Sequence, residues 1–290
     1  MKETLAVMKA WVRDHHEDER LSALMPRIML YRVTRPLDLA PEVYPPFISL
    51  ILQGEKQLQI GTQSVHYRAG ELFIAATDMP ATGRVTVAEA DAPYLAVRLT
   101  LDFALLSDLI CTMPATADAP LSKGMAVLAA DDMLLAAWLR LLRLRDHPAD
   151  IAVLAPLAER ELLYRLLCGP QGQLLRQAAD VSSHFSAVQR PISWLKSHYA
   201  QPVRMAALAG MANMSLSVFH RRFKAVTGLT PLQYQKHLRL YAARSQLLLM
   251  RGKVAAVAAS VGYESLTQFT REYERLFGDP PARDSRRHRQ

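Results

Sequence analysis

The chain has 290 residues, enough for two domains; half are apolar and 21% are charged, as in an ordinary globular protein. The formal charge is +8, but it is unevenly spread: residues 184–290 hold 17 Lys and Arg against 5 Asp and Glu, while the rest is mildly acidic. Two cysteines, Cys111 and Cys168, with no CxxC and no Cys/His cluster, exclude a disulfide framework and a structural zinc site.

The opening residues, MKETLAVMKAWVRDHHEDER, carry charges throughout, so they do not read as a signal peptide. No run approaches the roughly 20 apolar residues of a membrane span. The expectation is a cytoplasmic protein without a membrane partner. Leu5, Met8 and Val12 at helical spacing predict an N-terminal helical arm over 1–24, with Glu17-Asp18-Glu19 as a solvated acidic cluster.

From Met25 to Asp102 short β-rich runs are cut by Pro and Gly: RIMLYRV, PFISLILQG, EKQLQIG, QSVHYRAG, ELFIAAT, GRVTVAEA and PYLAVRLTLD. They predict an antiparallel sandwich or small barrel, with turns at Gln53-Gly54, Ile60-Gly61, Ala69-Gly70 and Thr82-Gly83. Helices are expected at about 103–112, 131–145 and 149–167, the first two separated by a Pro/Ala-rich break. The wide apolar faces of the last two need covering, by a second copy of the chain or by the barrel itself. Residues 25–170 thus form one unit, 171–183 a linker, and 184–290 a basic helical unit.

Within the basic unit VRMAALAGMANMSLSVFHRRFKAVTG recurs weakly as KVAAVAASVGYESLTQFTREYERLFG at an offset of 50. Eight identities result, Ala206/Ala256, Ala209/Ala259, Ser215/Ser265, Leu216/Leu266, Phe219/Phe269, Arg221/Arg271, Gly228/Gly278 and Pro231/Pro281. Each copy reads as helix, tight turn, helix. Asn213 and Gly262 suit a left-handed turn residue, Ser215 and Ser265 an N-cap, and Gly228 and Gly278 a helix stop. Pro231 to Met250 predicts one long helix joining the copies, and Arg283 to Gln290 a basic tail. A helix-turn-helix presents the start of its second helix to the major groove. Facing outward there are Leu216, Ser217, His220, Arg221 and Lys224 in one copy, and Leu266, Thr267, Gln268, Thr270 and Arg271 in the other.

On these residues the chain resembles the AraC family of transcriptional regulators. The stretches "MSLSVFHRRFKAVTGLTPLQYQKHLRLYAARSQLL" and "VAAVAASVGYESLTQFTREYERLFGDPP" carry the resemblance over about 184–285. "PFISLILQGEKQLQIG", "ATGRVTVAEADAPYLAVRLTLD" and "ERELLYRLLCGPQG" resemble the family's cupin-like N-terminal domain. The resemblance implies an α+β chain: a cupin-like effector-binding or dimerising β-barrel with flanking helices, then an all-α double helix-turn-helix domain. It implies double-stranded DNA and RNA polymerase as partners. Ser217, His220 and Arg221, with Leu266, Thr267, Gln268 and Arg271, fall where the family reads bases. After Pro281 the family has a Tyr-Arg pair, whereas this chain has Ala282-Arg283-Asp284-Ser285-Arg286.

Arg221 and Arg271 are expected to pair with guanine or else with phosphate. Ser215, Arg222, Lys224, Lys236, Arg239 and Ser265 are assigned to phosphate, which positions without specifying. In the barrel, Arg84 and Arg98 either hold an anionic or carbonyl-bearing effector or point outward, and His66 is either an effector contact or a satisfied strand histidine. A lone histidine there cannot gather the ligands of a metal-dependent cupin enzyme, so no metal, cofactor or catalytic residue is expected. The sequence therefore predicts an effector-controlled DNA-binding regulator, more an activator than a repressor, as a homodimer or not. A constitutive DNA binder whose barrel only dimerises and a cupin-type enzyme remain as alternatives.

Overall fold

The computed structural model describes residues 2–15, 20–114, 120–249 and 253–287. Glu17-Asp18-Glu19, Met250 and the last three residues of the basic tail lie outside them. The elements run α1 (Lys2–His15), β1 (Arg20–Met25), β2 (Ile28–Val33), β3 (Leu37–Asp38), β4 (Glu42–Tyr44), β5 (Phe47–Gln53), β6 (Glu55–Ile60), β7 (Gln63–Arg68), β8 (Glu71–Ala75), β9 (Met79–Val87), β10 (Tyr94–Thr100), α2 (Phe103–Thr112), β11 (Met125–Ala129), α3 (Asp132–Arg143), α4 (Ile151–Cys168), α5 (Gly172–Ala179), α6 (His184–His198), α7 (Met205–Met211), α8 (Leu216–Thr227), α9 (Pro231–Leu249), α10 (Val254–Ser260), α11 (Leu266–Phe277) and α12 (Pro281–Arg287).

The α+β class holds. The N-terminal unit is two antiparallel sheets facing each other without closing into a barrel: β1-β2-β10-β5-β8-β11, and β3-β9-β6-β7 with β4 also paired to β9. Alternation decides what each face meets. On β5, Ile48, Leu50 and Leu52 face the helices, while Phe47, Ser49 and Ile51 face the second sheet, so six successive residues are buried. The expected N-terminal arm is not an arm. Met8, Trp11 and Val12 of α1 are buried in the core, and β1 then pairs with β2. Gly83 does not turn the chain. It sits inside β9, where a Cβ would come to 3.0 Å from both Leu39 Cδ1 and Lys56 Cε.

The helices cover the outer face of the larger sheet. Asp102 caps α2 by accepting from the Ala104 and Leu105 amides, and Asp131 caps α3 through Leu134. Arg27 binds both Asp102 and the buried Glu159 of α4, which ties two helices to the sheet. α3 turns Leu134, Leu135, Ala137, Trp138, Leu141 and Leu142 into the core, so its apolar face is covered internally. α4 is divided: Leu162, Leu163, Leu166 and Leu167 are buried, whereas Val153, Leu157 and Tyr164 stay exposed.

The hydrophobic core on the helical side does not stop at residue 184. It runs unbroken from Met8 through the sheet and helices into Phe185, Val188, Leu208, Phe219, Phe223, Val226, Leu229, Tyr234 and Leu238. The second helix-turn-helix has a core of its own, built on Leu240, Ala243, Leu247, Val257, Val261, Phe269 and Tyr273. α9 takes part in both.

Candidate nucleic-acid interface

The turn of each helix-turn-helix depends on one residue with left-handed backbone. Asn213 has φ 53° and Gly262 φ 89°. Gly262 has a second reason to lack a side chain, since a Cβ would lie 2.0 Å from the Ala200 carbonyl oxygen. In both copies the residue after that position donates back to the first helix, Met214 to Ala209 and Tyr263 to Ala258. These equivalences correct the offset of 50 for half of each copy. α7 begins at Met205 and α10 at Val254, an offset of 49, whereas α8 and α11 begin at Leu216 and Leu266, an offset of 50. Burial follows the shorter offset, with Leu208 and Ala209 matching Val257 and Ala258. The second turn is therefore one residue longer. The Ala206/Ala256 and Ala209/Ala259 identities are coincidences of an alanine-rich stretch.

Beyond the turn the copies coincide again. Phe219 and Phe223, and Phe269 and Tyr273, bury the same faces of α8 and α11. Both helices end on a left-handed glycine, Gly228 (φ 76°) and Gly278 (φ 81°). Ser265 caps α11 by accepting from the Gln268 amide, but Ser215 makes no side-chain cap bond and leans toward Ser217 Oγ at 3.4 Å. The N-cap expectation thus holds in backbone for both and in side chain only for Ser265. α12 packs without the family's Tyr-Arg pair: Asp284, 2% exposed, accepts from Arg244 at 2.8 and 3.1 Å and from the Tyr273 hydroxyl at 2.7 Å. Ser285 adds a bond to the Leu247 carbonyl.

On the surface of α8, Ser217, Arg221 and Lys224 are exposed, while His220 and Arg222 are half-buried, His220 edge-on against Phe219. On α11, Leu266, Thr267, Gln268 and Arg271 are exposed, and the last three, with Ser265, Glu272 and Arg275, line a surface groove. Leu216 and Leu266, the first residue of each helix, are 48% and 47% exposed. Leu216 belongs with Leu266 among the candidate contacts, and the repeat itself was the signal for it. Gln268 is held by Glu272, to which its amide donates at 3.2 Å.

Two residues assigned to phosphate are engaged elsewhere. Arg239 turns inward: Nε donates to the Tyr199 carbonyl (2.7 Å), Nη1 to that of Gly262 (2.8 Å), and Nη2 to those of Ala200 and Gln201 (3.3 and 3.2 Å). It joins the end of α6 to the second turn, so its donors face protein carbonyls and not solvent. Lys236 Nζ sits 2.7 Å from Glu272, which also accepts from the Tyr263 hydroxyl. Burial works against the charge on Glu272, but bonds from Lys236, Tyr263 and Gln268 prevail and hold its carboxyl below its usual range.

Of the three residues expected to meet an effector, one faces the space between the sheets. His66 is exposed and pairs with Ser64, because Val65 and Tyr67 take the inward positions of β7. Arg84, 61% exposed, lies outside against Asp38. Arg98, 12% exposed, points inward between the rings of Tyr31 and Phe47. Beside it is a residue the sequence reading passed over, Lys56, 5% exposed. Its phase with Leu58 and Ile60 on β6 was the available signal.

The N-terminal unit presses on the first helix-turn-helix. The Gly124 amide donates to the Val226 carbonyl (2.9 Å), Tyr234 Oη to the Asp78 carbonyl (3.0 Å), and Lys196 pairs with Asp78 (2.5 Å). Among the described residues no helix is long and apolar enough to cross a membrane.

Two family models match: the N-terminus of AraC-type transcriptional regulators over residues 24–174, and a helix-turn-helix domain over 208–287. The chain therefore belongs to the AraC family, a class of non-enzymatic DNA-binding transcription regulators. It is 33% identical over 130 residues to the transcriptional activator RhaS of Escherichia fergusonii, which covers 44% of this chain and 46% of that one. With RhaS of Salmonella paratyphi A it shares 31% over 153 residues, 52% of this chain and 53% of that one. The chain thus spans about half the length of these curated relatives in the matched region. The fold is similar to the crystal structure of ToxT from Vibrio cholerae O395, with a TM-score of 0.56 and 11% identity over 90% of this chain and 98% of that one.

Proposed function

We propose that this regulator is a transcription activator whose two reading helices, α8 and α11, enter successive major-groove faces about 10 bp apart. What supports this reading is the matched exposure of Leu216, Ser217 and Arg221 on one helix and Leu266, Thr267 and Arg271 on the other. Arg221 and Arg271 reach guanine edges, and the two leucines meet apolar surface such as thymine methyl groups. Because the copies differ in side chains and in turn length, the two half-sites differ, and one chain reads an asymmetric site. Ser215, with its hydroxyl unused for capping, Ser265, Arg222 and Lys224 hold phosphate. The resemblance to RhaS activators supports RNA polymerase as a further partner, and the exposed face of α4 supports pairing with a second copy.

The effector acts from the sheets. The Gly124 amide ties α8 to the N-terminal unit through Val226, and Asp78 ties α6 and α9 to it through Lys196 and Tyr234, so a ligand that shifts a sheet shifts a reading helix. Footprinting the full chain on DNA flanking its own gene defines the site. On that site Arg221→Ala should lose about 1–3 kcal/mol of discrimination, while Lys224→Ala weakens specific and scrambled duplexes alike. Equal losses on both duplexes for Arg221→Ala would remove it from base readout.

A further inference from the structure

The space between the two sheets holds a charge arrangement that the folding of an apolar sandwich does not require. Lys56 on β6 and Arg98 on β10 both occupy inward positions, in phase with Leu58 and Ile60 on one strand and with Tyr94 and Ala96 on the other. Lys56 Nζ lies 5.4 Å from the centre of the Tyr31 ring and 5.5 Å from that of Tyr44. The Arg98 guanidinium lies 5.4 Å from the same Tyr31 ring and 5.5 Å from Phe47. Two cations therefore share one aromatic wall.

Neither cation has an adequate anionic partner. Arg98 Nε and Nη1 are fully buried without a hydrogen bond. The nearest carboxylate oxygen, on Glu42, is 3.9 Å from Nη1, and that side chain is 52% exposed. Among the described residues Lys56 Nζ has ring faces beside it but no hydrogen bond or ion pair. Burial, and then the repulsion of Arg98, push the Lys56 pKa from 10.5 down to about 8, with Glu42 opposing, which leaves it mostly charged at neutral pH. Uncompensated buried charge is costly, and proteins retain it where a partner arrives to neutralise it.

We propose that the interior between the sheets is the effector site and takes a small organic monocarboxylate, its carboxylate set between Lys56 and Arg98 and its apolar body against Tyr31, Tyr44 and Phe47. This rests on the effector-control reading above and deepens it. The charge balance selects the class: two cations and the Glu42 carboxylate leave one positive charge, which suits a monoanion. A neutral sugar or amide would leave both cations as they are. Glu42, 52% exposed, and the half-buried Tyr31 put the solvent side of this cluster beside Arg98.

The position of Lys56 also fixes where the ligand's effect is delivered. β6 runs from Lys56 to Ile60 and into the Gly61 turn. A Cβ on Gly61 would lie 2.3 Å from Leu229 Cδ2, and one on Gly228 would lie 3.6 Å from Ile60 Cγ2. The strand that grips the carboxylate therefore abuts the C-terminal cap of α8. Ligand at one end of β6 changes the setting of the first reading helix at the other.

The test uses the full chain. Its melting temperature is followed with sodium acetate, butyrate or benzoate, against sodium chloride at equal ionic strength and against benzamide as the neutral analogue of benzoate. A carboxylate at ten times its dissociation constant should raise the melting temperature by about 3–6 °C, with benzamide inert. Lys56→Gln, which removes the charge and keeps a polar end, should abolish the shift. Three carboxylates no better than chloride, or a shift undiminished in Lys56→Gln, overturns the proposal, and inorganic phosphate outperforming every carboxylate overturns the ligand class. Affinity for the footprinted DNA, measured in the same samples, separates this proposal from the reading beneath it. Sequence-specific binding with no carboxylate response removes the ligand alone. A carboxylate that binds through Lys56 without altering DNA affinity keeps the site and removes effector control.

Discussion

Replacing Lys56 with Met should stabilise the ligand-free protein. Met has nearly the same length and volume, so the change removes a charge without opening a cavity. The magnitude follows from the depressed pKa: a fall from 10.5 to about 8 corresponds to about 3 kcal/mol at 1.36 kcal/mol per unit. Loss of the contacts with Tyr31 and Tyr44 returns part of that, about 0.5–2 kcal/mol. The net gain is about 1–3 kcal/mol, or roughly 2–10 °C in melting temperature for a chain of this size. The sign has a pH signature. A lysine whose folded pKa lies below its unfolded value costs nothing above the unfolded pKa, and its penalty grows as pH falls toward the folded one. The advantage of Lys56→Met should thus be complete at pH 7 and shrink between pH 8 and 10.5. Melting wild type and variant at pH 7 and pH 9.5 checks this. A variant less stable than wild type at pH 7, or an advantage that does not narrow at pH 9.5, would refute the claim that Lys56 is buried at a cost.

Three further perturbations bear on other parts of the molecule. Gly124→Ala would place a Cβ 2.2 Å from the Val226 carbonyl oxygen, so it should separate the sheets from α8. Lower melting temperature and new proteolytic cleavage near residues 120–125 are expected, and a variant as resistant as wild type would show the contact to be dispensable. Arg239→Ala should destabilise the second helix-turn-helix, since it removes a donor from four carbonyls, of which those of Tyr199 and Gln201 keep the Gln235 amide, at about 1–3 kcal/mol for each group left buried and unpaired. It should leave the salt slope of DNA binding unchanged, whereas Lys224→Ala lowers that slope by about one; a reduced slope for Arg239→Ala would restore it to the phosphate contacts. His237 is held neutral by burial and by repulsion from Arg275, its pKa lowered from 6.5 to about 4. Stability should therefore be fully present above pH 6.5 and fall by about 1.4 kcal/mol per unit as pH drops toward 4. His237→Asn should flatten that slope in urea titrations at pH 7 and pH 5, and an unchanged slope would assign the acid sensitivity to other groups.

What could be read from the sequence is what local chemistry decides. Asn213, Gly262, Gly228 and Gly278 occupy left-handed backbone because few other residues can, and Phe219 and Phe269 mark buried faces by period alone. The extra residue of the second turn was hidden because small residues repeat so freely in α7 and α10 that a false register scores two identities. β11 went unread because MAVLA, five residues after a Pro/Ala-rich break, carries little strand character of its own; its partner β8 supplies it. Arg239, Lys236 and Asp284 look like surface charges in any linear reading. Only the folded chain brings the carbonyls of Tyr199 to Gly262, and Arg244 to Asp284, around them. For Lys56 the pattern held the answer, since its strand alternates cleanly, but a lysine is usually assigned to solvent before its phase is consulted.

The seam between the two cores falls inside α9, where Leu238 belongs to one and Leu240 to the other. A graft made at residue 184 would strip Phe185, Val188, Ile192 and Leu195 of their cover, whereas a graft beyond Leu238 leaves the first core whole and costs the second unit the carbonyls at the end of α6 that Arg239 binds and the Lys236 partner of Glu272. Evolution meets the same asymmetry. On the proposed function, the half-operator under α8 changes in step with the sheets that press on it, through Gly61 and Gly124, while the half under α11 drifts with little consequence for the effector site. Homologues that share a ligand but regulate different genes should therefore diverge first at Thr267, Gln268 and Arg271.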